Sequence, residues 1–120
     1  MKELRIEIQD EDAKQKPLIY IIKRMNVAAS NRRFQLYDKE LSKELIDSIK
    51  NQRLFASSLV TVLCGEDGVL LYPAPVDGSD DDAVDKLFDD MFDDIYSILA
   101  KSFGEINPPA PGLKAKKKKY

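Results

Sequence analysis

Nine aspartates fall between Asp77 and Asp94, the densest set of chemically capable side chains in the chain. Carboxylates at that density could bind calcium, hold a pair of divalent metals or offer a docking surface to a basic partner. The spacing excludes a calcium loop. Asp77, Ser79 and Asp81 take alternate positions, but the sixth position is Asp82 instead of glycine and the twelfth is Phe88 instead of glutamate. A two-metal site needs acids converging from different elements, whereas these lie along the outside of one predicted helix. Two readings stay open for the run: a solvated outer face, or a surface for a basic partner.

The rest of the composition narrows the chemistry further. The 120 residues include no histidine and a single cysteine, Cys64. Zinc sites built on His/Cys clusters are excluded, as are Ser-His and Cys-His nucleophile pairs. The five glycines are scattered, so no phosphate-cradling loop is present. Cys64 closes the apolar run Leu59, Val60, Val62, Leu63 and reads as a small core side chain. The chain is expected not to be an enzyme and to need no cofactor. It shows no charged-then-apolar leader and no apolar run of membrane-spanning length, so cytosolic residence without a membrane partner is expected. Charge is segregated along the chain. Residues 77–104 carry 2 basic and 9 acidic groups, while residues 105–120 carry 5 basic and 1 acidic. Lys114 and Lys116 to Lys119 would give salt-sensitive, non-specific attraction to nucleic acid, but no aromatics interleave to stack on bases, so nucleic acid is not the expected partner.

These residues must be positioned by a small number of elements. Leu4, Ile6 and Ile8 alternate with Arg5, Glu7 and Gln9, which predicts a half-buried strand. Asp10 to Lys16 reads as a turn, and Leu18-Ile19-Tyr20-Ile21-Ile22 as a second strand completing a hairpin. From Met25 the period becomes helical: Val27, Ala28, Phe34 and Leu36 or Tyr37 predict a short helix with Arg32 and Arg33 outside. Ser42 is the predicted N-cap of a central helix carrying Leu45, Ile46, Ile49, Ala56, Leu59, Val60 and Leu63, ended by Gly65. Glu66-Asp67-Gly68 is a turn, and Val69 to Tyr72 a buried strand or strand-like link. Val84, Leu87, Phe88, Met91, Phe92, Ile95, Tyr96, Leu99 and Phe103 then step by three and four, predicting one unbroken last helix stopped at Gly104. Its wide apolar face is either core or a groove for a partner. The expectation is an α+β, mostly helical fold: a short N-terminal β-hairpin and a small helical bundle in one domain over residues 1–106. A Pro/Lys-rich tail over 107–120 is expected to be disordered.

From about Pro17 to Ile106 this order of features resembles the tail assembly chaperones of long-tailed, siphovirus-like bacteriophages. The likeness is carried by Asn31-Arg32-Arg33-Phe34, the apolar helix Arg53 to Cys64, the segment Gly65-Glu66-Asp67-Gly68-Val69-Leu70-Leu71-Tyr72, an acidic loop, and the closing helix Leu87 to Phe103. The aspartate cluster is denser than the family pattern. Such chaperones are often made in two forms by backward ribosomal slippage on a run of A. Lys116 to Lys119 is what a slippery A-rich site would look like once translated. The resemblance implies a protein of the infected host's cytoplasm, absent from the mature virion. It would bind the tape measure protein, keep it soluble and promote tail tube assembly, with tail tube protein met through the longer frameshift form and self-association possible. No catalytic or cofactor residue is implied. Phe88, Phe92 and Tyr96, with Met91 beside them, repeat along one edge of the last predicted helix and are the candidate partner-binding residues. The rival expectation is a small phage or bacterial regulator that uses the basic tail on nucleic acid.

Overall fold

The computed structural model describes residues 2–9 and 16–108. The expected turn around residues 10–15 and the expected disorder of residues 109–120 lie outside them. Two strands open the chain, β1 (Glu3–Ile8) and β2 (Leu18–Lys23), paired antiparallel from Glu3↔Lys23 to Ile8↔Leu18. This is the predicted hairpin, and the alternation of β1 turns Leu4, Ile6 and Ile8 towards the core. With four helices following among the described residues, the fold is α+β and mainly helical, as expected.

The helix α1 (Val27–Leu41) is longer than the short element expected. Asn26 caps it, its Oδ1 accepting from the Ala29 N–H at 2.8 Å. Ser42 ends α1 and does not begin the next helix; its hydroxyl donates to the Lys39 carbonyl at 2.7 Å. The arginines are not outside. Arg32 keeps only 11% of its side chain exposed, and Arg33 donates to Ser58 Oγ at 3.0 Å, while Phe34 is 56% exposed. Helical spacing places residues on a face but cannot say that an ion pair will turn an arginine inward.

The second helix α2 (Asp47–Leu59), by contrast, is shorter than predicted. Asp47 sits in its first turn, where the helix dipole favours an acid. Val60, Thr61 and Val62 are all β-branched, and the helix gives way there to a turn and then to β3 (Leu63–Gly65). β3 pairs antiparallel with β2 through Ile21↔Cys64 and completes a three-stranded sheet in the order β1-β2-β3. The chain reverses at Glu66 to Gly68, where Gly68 has φ +77°, and returns to form a Cys64↔Leu70 bridge. The strand-like link is therefore present, though Val69 and Leu71 are exposed instead of buried.

The last predicted helix is two helices, α3 (Ala83–Asp90) and α4 (Asp93–Ile106). Met91 and Phe92 between them are extended, with ψ of 132° and 145°. The aspartates favour a break in this region. One continuous helix would stack Asp85, Asp89 and Asp93, and also Asp90 and Asp94, at four-residue spacing, where like charges repel. It would also place a mediocre helix former repeatedly in a helix interior. The break puts Asp93 and Asp94 in the first turn of a new helix, on the favourable side of its dipole, and leaves Asp89 and Asp90 in the last turn of α3, on the unfavourable side. Gly104 does not stop α4, which continues to Ile106. Asn107 is fastened to the body as well, its Oδ1 accepting from Met25 N–H at 2.8 Å and its Nδ2 donating to the Lys23 carbonyl at 3.0 Å. One core unites these elements, with Ile22, Leu36, Leu59, Leu63, Leu87 and Leu99 fully buried. No helix among the described residues is long and apolar enough to cross a membrane.

Candidate functional site

The break between α3 and α4 redistributes the predicted partner-binding residues. They do not form one edge of a helix. Tyr96 is buried at 8% exposure and belongs to the core. Burial pushes its hydroxyl up to about 12, and that hydroxyl reaches the Gln52 carbonyl at 3.4 Å. Phe88 packs on Tyr96 with ring centres 5.8 Å apart and lies under the Arg53 guanidinium at 5.2 Å. Tyr96 is thus committed to the core, while Phe88 stays half-buried against it. Phe92 points the other way and is 74% exposed, while Met91 is half-buried.

Met91 stands between two open cavities. The larger, about 310 Å³, is walled by Leu18 and Tyr20 from β2, Leu71 and Tyr72 from the segment after β3, and Met91, Phe92 and Ile95 from the break, with Asp90 at its edge. The smaller, about 160 Å³, lies among Gln52, Phe88, Asp93 and Tyr96. Burial raises the hydroxyls of Tyr20 and Tyr72 above the ordinary tyrosine range, with Asp90 adding to the effect on Tyr72, so both walls stay neutral. Leu18, Leu71 and Phe92 keep 40% or more of their area in solvent. The result is an apolar groove with neutral walls and an acidic rim. Its far wall was not foreseen. The available signal was the period of two in β2: Ile22, Tyr20 and Leu18 share one sheet face, which runs from the buried core out into the groove.

The aspartate run frames this groove unequally. Asp81 receives two hydrogen bonds from Arg32, Nε at 2.9 Å and Nη2 at 3.1 Å, and the same Nη2 donates to the Tyr72 carbonyl at 2.7 Å. Burial pushes the Asp81 carboxyl up, but Arg32 outweighs it and holds the group below its usual range. Lys39 pairs with Asp80 at 2.6 Å. Asp85 meets Arg53 and, at 3.6 Å, Lys43. These two cations also satisfy Glu40, which is only 2% exposed: Arg53 Nε lies 2.7 Å from its Oε2 and Lys43 Nζ 3.0 Å from its Oε1. Burial alone would raise the Glu40 carboxyl, yet the two cations keep it below its ordinary value. For Asp85 the Arg53 hydrogen bond is the main cause of a lowered carboxyl. Among the described residues, Asp89, Asp90, Asp93 and Asp94 make no ion pair.

The groove offers apolar contact surface, and the aspartates offer negative charge. Cys64 is fully buried and burial pushes its thiol up, away from the thiolate. Among the described residues no group of three or more His, Cys, Asp or Glu is placed to hold a metal ion. A second apolar surface lies at the turn between α1 and α2, where Leu41, Leu45, Ile46 and Ile49 are each more than a third exposed. No known protein family, no curated protein and no solved structure matches the chain.

Proposed function

We propose that this protein is a phage tail assembly chaperone that binds the tape measure protein in the host cytoplasm, keeps it soluble and promotes tail tube assembly. The order of features from Pro17 to Ile106 supports the reading, and the groove at the α3–α4 break is the observation that carries it. An aggregation-prone client needs an apolar seat on a carrier that stays in solution once loaded. Leu18, Leu71, Met91 and Phe92 supply the seat, and Asp89, Asp90, Asp93 and Asp94 around the break supply uncompensated charge. Self-association falls to the separate apolar surface of Leu41, Leu45, Ile46 and Ile49, so that a client and a sister subunit do not compete for one site. The lysine run at residues 116–119 fits the short product of a frameshifting gene, released from the tail before the virion is complete.

Co-expression with the large tail gene encoded nearby tests the proposal. The tape measure protein should stay in the supernatant and co-purify only when the chaperone is present. A client that is equally insoluble with and without it contradicts the reading. A salt titration against DNA separates the rival regulator, which requires an affinity that falls steeply with salt.

A further inference from the structure

β1 is an edge strand. The sheet order is β1-β2-β3, and among the described residues no strand lies on the outer side of β1. The ladder fixes which backbone groups face outward. The Arg24 N–H donates to the Lys2 carbonyl at 2.8 Å, so Lys2 turns its peptide groups towards β2. Antiparallel strands alternate in this respect. Leu4, Ile6 and Ile8 therefore do the same, while Glu3, Arg5 and Glu7 present N–H and C=O to the open edge. Side chains alternate with the same period. Leu4, Ile6 and Ile8 pack on the core yet stay half-buried, whereas Ile22, opposite Leu4 on β2, is fully buried. A further strand beside β1 would take that remaining apolar area out of water. Glu3, Arg5 and Glu7 stand on the other face in alternating sign.

That alternation selects the occupant. Two copies of β1 related by a two-fold axis pair antiparallel, and the register decides which charges meet. With Arg5 opposite Arg5, Glu3 falls opposite Glu7 and every charged pair repels. With Leu4 opposite Leu4, Ile6 faces Lys2, and with Glu7 opposite Glu7 like charges meet again. With Ile6 opposite Ile6, Arg5 faces Glu7, Leu4 faces Ile8 and Glu3 faces Gln9. This register also sets Arg5 against Glu7 at a hydrogen-bonded position, where the outward N–H and C=O groups of both strands meet. We propose that β1 pairs with β1 of a second copy in this register, centred on Ile6, so that the two sheets become one. Within one chain Arg5 lies 4.0 Å from Glu7 and 3.8 Å from Glu66, but these exposed contacts contribute little and do not compete with the pairing. The contact is additional to the apolar surface of Leu41, Leu45, Ile46 and Ile49. The two lie on different elements, so either forms without the other.

The test uses the full chain with Ile6→Cys, alone and combined with Arg5→Glu or with Glu7→Arg. Facing residues of a non-hydrogen-bonded pair stand about 4.5 Å apart at Cα, within reach of a disulfide. Cys64 is fully buried and does not compete. Mild oxidation should link the Ile6→Cys chains into a covalent dimer. Either charge reversal sets like charges opposite at both symmetry-related positions, and should slow that linkage about ten-fold. Both side chains are more than half exposed, so the melting curve should not move. Mixing the two reversed chains makes every facing charged pair unlike again and should restore linkage, now as a heterodimer. Sedimentation of the same charge variants with Ile6 retained should show the same loss and recovery of association, independently of the cysteine. Linkage that ignores charge, or two reversed chains that fail to recover on mixing, overturns the proposal. Association unchanged in both reversed chains overturns it too, and assigns the contact to the α1–α2 surface.

Discussion

Between Asp80 and Asp85 each aspartate meets a cation: Asp80 with Lys39, Asp81 with Arg32, Asp82 with Lys86, and Asp85 with Arg53 and Lys43. A turn or two further on, Asp89, Asp90, Asp93 and Asp94 meet none among the described residues. The same residue type in one continuous run is therefore put to two uses. The first half fastens the loop and α3 to α1 and α2, with Arg32 also holding the Tyr72 carbonyl in the groove wall. The second half flanks the break between α3 and α4, where Phe92 turns out into solvent and Asp90 edges an apolar groove. Sequence presents both halves as a single acidic face. What separates them is which cations the fold brings within reach.

The sharpest way to break this comparison is to remove a cation from the first half. Arg53→Met leaves Glu40 buried with only Lys43 as partner, and should cost about 3 kcal/mol of stability in a urea titration. Combining it with Glu40→Gln should recover a large part of that loss. A fully stable single variant would show that the network does not hold the helices.

Acid should attack the same half next. Glu40, Asp81 and Asp85 are all held below their ordinary values of 4.5, 3.8 and 3.8. Below those values the unfolded chain takes up protons before the folded one does. The stability that the three groups contribute is therefore complete above about pH 4.5 and lost as pH falls through their lower folded values. Melting temperature should drop through that window, and Glu40→Gln should flatten the drop. The second half should respond weakly. Replacing Asp89, Asp90, Asp93 and Asp94 together by Asn should leave the melting temperature nearly unchanged, since it breaks no ion pair and the repulsion removed offsets the dipole interaction lost at Asp93 and Asp94. A fall of several degrees would make the two halves alike. Tyr96→Phe should have the smallest effect, because it deletes only a 3.4 Å hydrogen bond from a side chain whose ring keeps its packing.

The hairpin, the α+β class and the inward residues of the last helices were legible because period and β-branching report local geometry. Three features were not. Leu63 and Cys64 continued the apolar run of α2 up to the expected stop at Gly65, and only the β-branched triplet before them signalled that the chain would leave the helix and join β2. Arg32 and Arg33 were placed outside because spacing cannot see a partner 49 residues away at Asp81 or 25 away at Ser58. The break at Met91 was hidden because a three-four apolar pattern survives two extended residues. The density of aspartates was the signal that could have exposed it. Of the four candidate residues, Phe92 and Met91 lie at the groove, Phe88 is half-buried at the smaller cavity and Tyr96 is in the core, whereas the sequence placed all four on one face.

The central claim is that the surface at the α3–α4 break binds the client, and one paired measurement tests it most directly. Phe92→Ala and Tyr96→Ala should each be assayed for melting temperature and for affinity towards the tape measure protein. Losing an exposed aromatic anchor of about 1.5–3 kcal/mol should weaken client binding ten-fold or more and leave the melting temperature in place. Losing Tyr96 should lower the melting temperature strongly, as expected for a buried core ring. Full client affinity in a Phe92→Ala protein that melts normally would contradict the account.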